Sequence, residues 1–230
     1  YTLTEYEDAS AATQAVYDSF MRTTGATSVP VWLKSLGHSD ALARAYWERA
    51  KGTLFGGSLP VPLTEMIVFV VSAQNGARYC SACHAQCVLN LDKALSFENL
   101  QSAVKSEAGY QMPAYYQSVV DFATKVTENA NCVEDEDFEA LMDEGFSKEE
   151  ICEIIAVIDL ATMFNVYTST LRLGPVPLPL EAPAPPPLGR ANARPAPARS
   201  PCRESHSRNS GPPLHARDAL DRSFDHGSPS

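Results

Sequence analysis

The sequence predicts an all-α protein: a single compact helical bundle of about seven to nine helices, followed by a disordered tail. Three observations predict this fold class. Apolar residues recur at helical spacing along residues 1–174. Helix start and stop signals separate the apolar segments. The alternation of apolar and polar residues that is typical of strands is not found in the sequence. We therefore place one helical domain at residues 1–174 and the tail at residues 175–230.

Each predicted helix has its own boundary signals. Gly25 is a typical stop for the first helix, and Ser39 is a typical N-cap for the third, which we expect to bury Leu42. Ser147 and Glu150 have the spacing of a capping box at the start of the last helix, where we expect Cys152 to face the core. In chain order, the predicted helices span residues 8–24, part of 27–36, 40–54, 62–74, 77–91, 97–108, 113–126, 134–142 and 148–173.

Residues 66–73 form the most apolar segment of the domain. A segment that is apolar almost all round is typical of a buried helix. Eight apolar residues are also compatible with a buried strand, but the helical patterns on both sides favour a helix. Glu65 lies in its first turn, where an acid suits the helix dipole, and Asn75-Gly76 ends it.

The next predicted helix carries the best candidates for chemistry. Cys80, Cys83, His84 and Cys87 stand at positions i, i+3, i+4 and i+7, so they share one stripe of the helix. The helix dipole is expected to lower the pKa of Cys80 near the first turn. His84 is placed to take the proton of Cys80, and Glu65 is placed to orient His84, which makes an acid–histidine–thiol relay. Cys80 and Cys83 lie near disulfide range.

Simpler interpretations of these residues remain open. A free cysteine packs like a small hydrophobic residue, so Cys83 and Cys87 are equally consistent with structural positions. His84 alone is typical of a hydrogen-bonded core histidine, and Glu65 of a first-turn acid. A zinc site would need ligands from elsewhere, because four ligands along two turns spread over about 10 Å and do not close on one ion. We expect neither a metal nor a cofactor.

The motif resembles the AhpD-like / carboxymuconolactone decarboxylase family, whose signature is Glu-x11-Cys-x2-Cys-x3-His. Counted from Glu65, the first family cysteine falls on Ala77, the second on Cys80 and the histidine on His84. Moving the motif by one turn would put Cys87 where the histidine belongs, so we prefer the unshifted alignment. The resemblance covers roughly residues 4–173. It extends to five further residues: Pro30, Trp32, Asn75, Tyr79 and Asn165.

This resemblance implies an all-helical homo-oligomer, a trimer or hexamer, and a thiol peroxidase. Cys80 would attack a hydroperoxide with His84 and Glu65 as its relay, and Cys83 or an external thiol would resolve the sulfenic acid. The implied partners are a hydroperoxide or other small-molecule substrate and a reductant, either a thiol protein or a small thiol. Two alternatives stay open: a lactone decarboxylase in which Glu65 and His84 act as acid and base on a carboxylated ring, and a non-catalytic helical oligomer.

Charge and composition limit the classes of partner and the cellular location that the sequence is compatible with. Residues 1–174 carry 11 basic and 23 acidic residues, a charge of −12, and the tail adds +2 to give the net charge of −10. An acidic domain argues against nucleic acid and anionic membranes as partners. Six cysteines are too sparse for a disulfide scaffold and, with an acidic start that lacks a secretory pattern, indicate a reducing, cytoplasmic location. The last 56 residues hold 13 of the 17 prolines, which predicts a disordered tail, either passive, artefactual or able to bind a proline-recognising domain.

Overall fold

The computed structural model describes residues 2–91, 93, 95–96, 98–100 and 114–174. These residues form helices and no strands, which confirms the all-α prediction. Residues 98–100, within the predicted helix 97–108, are helical; the rest of that segment and the predicted tail lie outside the described residues. The elements are α1 (Ala11–Thr24), α2 (Val31–Leu36), α3 (Asp40–Phe55), α4 (Val61–Gln74), α5 (Arg78–Leu91), α6 (Ala114–Asn129), a 3₁₀ turn (Ala130–Cys132), α7 (Asp135–Asp143) and α8 (Lys148–Thr170).

Side-chain caps fix where several of these helices begin. The first helix starts three residues later than predicted, because Ser10 is its N-cap and accepts a hydrogen bond from the backbone N–H of Thr13. The capping box expected at the start of α8 is confirmed by reciprocal hydrogen bonds between Ser147 and Glu150. Gly25, with φ of 72°, ends α1 in the left-handed conformation that favours glycine.

The buried face of α3 differs from the predicted one. Leu42 was expected to point inward but is 51% exposed, and the buried positions are Ala43, Trp47 and Ala50. The buried stripe includes Trp47, which is 1% exposed and whose indole N–H donates a hydrogen bond to Ser19 Oγ, so this side of α3 faces α1.

Helix α4 lies at the centre of the fold and contacts α5, α6 and α8. Every residue from Leu63 to Ser72 is buried, as expected for a helix that is apolar all round. Its side chains belong to the larger of two main core clusters, and the smaller one is formed by α1, α2 and α3 together with Leu160 of α8. This central position holds the polar residues of α4, Glu65 among them, rigidly inside the protein.

Helix α8 is the other long apolar helix. By length and composition alone it is apolar enough to cross a membrane, with a mean hydropathy of 1.5. Its Ile154 and Val157, however, are fully buried in the larger core cluster, as in a core helix of a folded domain. The expectation that Cys152 faces the core is wrong: this residue is exposed, because the buried stripe of α8 passes through Ile151 and Ile154 instead.

Candidate active site

A tight turn between α4 and α5 sets the geometry of the candidate site. Gly76 adopts φ of 65° and its N–H donates to the carbonyl of Ala73, while the N–H of Ala77 donates to the carbonyl of Ser72. This is the hydrogen-bond pattern of a helix that ends at a left-handed glycine. The chain therefore reverses at once, and α5 packs along α4.

The Glu65 carboxylate and the His84 imidazole meet across this helix pair. Glu65 Oε2 lies 2.5 Å from His84 Nδ1, with the side chain of Glu65 7% exposed and that of His84 22% exposed. A carboxylate at Nδ1 favours the tautomer that leaves Nε2 free to accept a proton. The sequence therefore predicted the pairing correctly, and the pair is arranged as a general base with one accessible nitrogen.

Cys80 lies one turn before His84 but is more buried than the relay model expects. The residue is 3% exposed, and its Sγ lies 3.2 Å from Thr168 Oγ1 of α8. Burial raises the pKa of the Cys80 thiol, and the Thr168 hydroxyl opposes that shift. The expectation of a lowered pKa for Cys80 is therefore wrong, because the effect of burial is larger than that of the Thr168 hydrogen bond.

Cys83 and Cys87 stand on the partly exposed side of the same stripe. Burial raises the pKa of each to about 12. The negative charge of Glu65 adds to both shifts, and Cys87 also hydrogen-bonds that carboxylate. The Tyr79 hydroxyl hydrogen-bonds Cys83 and partly opposes the shift at that residue. All three thiols on α5 are thus neutral at physiological pH.

A small apolar cluster covers Cys80. Leu173, which is 6% exposed, packs against Cys80 and Ala77, and Trp32 and Phe164 pack around them. The N–H of Leu173 donates to the carbonyl of Thr168, because Arg172 adopts φ of 54° and turns the chain back towards the site. The segment after α8 therefore forms an apolar cover over the thiol.

Several residues that carried the family resemblance also lie close to this site. Tyr79 is buried and hydrogen-bonds the backbone of Trp32. Asn165 accepts a hydrogen bond from the buried Ser72 hydroxyl at 2.8 Å. These contacts join α2, α4 and α8 around the start of α5.

The structure adds two residues that sequence analysis missed, Thr168 and Leu173. Thr168 lies three residues after Asn165, so the two share one face of α8, and that spacing is the sequence signal for Thr168. Leu173 had no comparable signal, because its contact with Cys80 depends on the left-handed turn at Arg172. Within the described residues, the free cysteines are Cys80, Cys83, Cys87 and Cys152. Cys132 is disulfide-bonded, which departs from the expectation that the cysteines are reduced.

An open apolar groove of about 460 Å³ lies beside α8, separate from the Glu65–His84 pair. Val166, which is 65% exposed, is the most exposed large apolar residue of this groove. The other residues that line it are Tyr46, Met163, Tyr167, Thr170 and Leu171.

Comparison with known proteins identifies the fold. No family model and no curated protein matches the sequence. Among solved structures, the chain is similar to an uncharacterized peroxidase-related protein from Silicibacter sp. TM1040, with 26% identity and a TM-score of 0.62 over 71% of this chain and 84% of that one. It is also similar to an alkylhydroperoxidase AhpD core protein from Ralstonia eutropha JMP134, with 24% identity and a TM-score of 0.67 over 76% and 91% of the two chains.

A third similar structure is that of a protein with a different activity. It is a cysteine-to-alanine variant of the debrominase Bmp8 in complex with 2,3,4-tribromopyrrole, with 19% identity and a TM-score of 0.60 over 74% of this chain and 88% of that one. The fold thus occurs in proteins with different activities. The resemblance that the sequence indicated is confirmed at the level of the fold: the chain has an AhpD-like fold.

Proposed function

We propose that the protein is a thiol-dependent peroxidase that reduces hydroperoxides through Cys80. The observation that carries the proposal is the Glu65–His84 hydrogen bond, which holds a general base on α5 one turn after Cys80. The similarity to peroxidase-related AhpD-like structures supports it. In the first step, His84 Nε2 takes the proton of Cys80, and Glu65 stabilises the imidazolium.

The Cys80 thiolate then attacks the terminal oxygen of the hydroperoxide. An S–O bond forms and the O–O bond breaks, so the sulfur is oxidised to a sulfenic acid and the peroxide is reduced to an alkoxide, which takes the proton from His84 and leaves as an alcohol. Cys83, one turn away on the same helix, attacks the sulfenic acid, forms a disulfide with Cys80 and releases water. An external dithiol restores both thiols.

Access to Cys80 requires movement of its apolar cover. Cys80 is only 3% exposed beneath Leu173, so a hydroperoxide larger than a few atoms reaches the sulfur after this turn has shifted. The experiment is a stopped-flow assay with a small and a bulky hydroperoxide, in the wild type and in Cys80→Ser. We expect saturable turnover that Cys80→Ser abolishes; equal turnover in Cys80→Ser would overturn the proposal.

A second candidate function uses the acid–base pair without a thiol. It is favoured by one observation: burial raises the pKa of Cys80, Cys83 and Cys87, whereas the Glu65–His84 pair is complete without them. In that case the pair acts on a carboxylated lactone ring. A Cys80→Ser variant then keeps its turnover of such a lactone, and His84→Asn loses it; the opposite result excludes this candidate.

We also propose that the chain forms a homo-oligomer, with or without catalysis. The apolar groove around Val166 supports self-association, because exposed apolar patches rimmed by polar residues mark interaction sites. Light scattering after size-exclusion chromatography tests it, with a trimer or hexamer expected and a monomer at high concentration as the contradicting result.

A further inference from the structure

The Thr168 hydroxyl is the hydrogen-bond partner of the Cys80 sulfur. Thr168 is 1% exposed, and its Oγ1 lies 3.2 Å from Cys80 Sγ and 2.8 Å from the carbonyl oxygen of Phe164, to which it donates. A hydroxyl has one proton and two lone pairs, so it donates one hydrogen bond while it accepts another. In the resting state the Cys80 thiol therefore donates to Thr168, and Thr168 donates to Phe164.

Loss of the Cys80 proton changes what this hydroxyl must do. A thiolate is only an acceptor, so a hydroxyl that points its proton at Phe164 would face the new charge with its own lone pairs. Rotation about the Cβ–O bond redirects the proton to the sulfur, and a hydrogen bond to a charged acceptor is roughly twice as strong as a neutral one. The Phe164 carbonyl keeps its place at the i−4 position in α8.

We propose that Thr168 is a catalytic residue that stabilises the Cys80 thiolate by switching from hydrogen-bond acceptor to donor. Its role in turnover rests on the peroxidase proposed above, and its effect on the thiol does not. The proton released by Cys80 goes to His84 in that reaction. The aliphatic and phenyl side chains that pack around Cys80, those of Ala77, Phe164 and Leu173, supply no hydrogen-bond donor.

The charged and titratable groups around Cys80 support the assignment of Thr168 as the hydrogen-bond donor to the thiolate. On α5 itself, Tyr79 and Cys83 interact electrostatically with Cys80, and neither carries positive charge. The residues that pack on Cys80 from other elements in the described part of the chain have no titratable group: they are Trp32, Phe164, Thr168 and Leu173. In the proposed reaction the positive charge forms on His84, one turn along α5 and paired with Glu65, so Thr168 is the residue that donates a hydrogen bond directly to the sulfur.

The test is the rate of Cys80 alkylation against pH, with the labelled peptide identified by mass. Three variants are compared: Thr168→Val, which keeps the shape and removes the hydroxyl, Thr168→Ser, which keeps the hydroxyl, and Thr162→Val. Thr162 is the matched control, because its hydroxyl makes the same i−4 hydrogen bond, to Ile158, on the exposed side of α8. Circular dichroism and the unfolding midpoint establish that each variant folds.

Below the titration midpoint we expect Thr168→Val to lower the alkylation rate of Cys80 by roughly tenfold and to move the midpoint to higher pH. Thr168→Ser and Thr162→Val should stay within about threefold of the wild type. An unchanged midpoint in Thr168→Val, or an equal shift in Thr168→Ser, would overturn the inference. If the midpoint moves as expected but no variant, nor the wild type, consumes hydroperoxide, the peroxidase proposal fails while the role of Thr168 stands.

Discussion

Glu65 Oε2 and His84 Nδ1 lie 2.5 Å apart, although they belong to different helices and are separated by 19 positions in the chain. The turn at Gly76 produces this contact by folding α5 back along α4. A buried carboxylate at one imidazole nitrogen orients the ring and selects the tautomer in which the other nitrogen is free to accept a proton. The pair is the one feature that the peroxidase and the acid–base candidates share.

Replacement of either member of the pair should lower turnover. We expect His84→Asn to reduce the second-order rate with hydroperoxide by about 10²- to 10⁴-fold, as for loss of a general base. Glu65→Gln should cost less, because the histidine keeps its place and loses only the charge beside it. Stopped-flow kinetics measures both. Glu149→Gln, at an exposed acid in the first turn of α8, is the control and should match the wild type.

The raised pKa values of Cys83 and Cys87, each about 12, predict how stability varies with pH. The pKa of a cysteine in the unfolded chain is about 8.5, so the folded state binds these protons more tightly. Their contribution to stability is complete below about pH 8.5 and is lost as the pH rises towards 12. The free energy of unfolding should therefore fall across this window. Urea titrations of the wild type and of a Cys83→Ala/Cys87→Ala variant measure it, and an equally steep fall in both would contradict the assignment.

Two neighbouring isoleucines on α8 test the placement of the core. Ile154 is fully buried in the larger cluster, whereas Ile155 is 39% exposed. Ile154→Ala should lower the free energy of unfolding by about 2–5 kcal/mol, because it removes apolar contacts and leaves a cavity. Ile155→Ala should cost less than about 1 kcal/mol. Chemical denaturation of both variants measures these free energies of unfolding. Equal losses of stability in the two variants would mean that α8 is rotated from the described position.

The comparison of sequence and structure shows which features depend on local pattern. The capping box at Ser147, the stop at Gly76 and the stripe of Cys80, Cys83 and His84 are local, and each was predicted from residue spacing. The face of α3 was not, because Leu42 and Trp47 lie on different helical stripes, and the contact of Trp47 with Ser19 on α1 belongs to the tertiary structure.

The chemistry of Cys80 could not be predicted from its own helix for the same reason. A position near the start of α5 suggests a low pKa, but the residues that bury the sulfur, Thr168 and Leu173, are about 90 positions away in the sequence. Thr168 and Leu173 lie beside Cys80 because of the way α8 packs and because Arg172 adopts a left-handed conformation. Helical spacing does not carry that information.

The turn that covers Cys80 should control access to it. Leu173→Ala removes most of the cover and should raise the rate of Cys80 alkylation at fixed pH several-fold. Arg172→Gly should act in the opposite direction: glycine adopts φ of 54° without strain, so this variant should stabilise the turn by about 1 kcal/mol and slow the alkylation. Mass-resolved alkylation kinetics measures both effects. Identical rates in the two variants would show that the turn does not limit access.

The most direct measurement of the central claim is the mapping of cysteine oxidation by peptide mass after one equivalent of hydroperoxide is added to the full chain. We predict that Cys80 is oxidised first and is recovered as a disulfide with Cys83, and that Cys83→Ser leaves Cys80 as a sulfenic acid that a trapping reagent captures. If Cys80 stays reduced while the exposed Cys152 is oxidised, the protein does not use Cys80 as a peroxidatic thiol, and the Glu65–His84 pair then has another substrate.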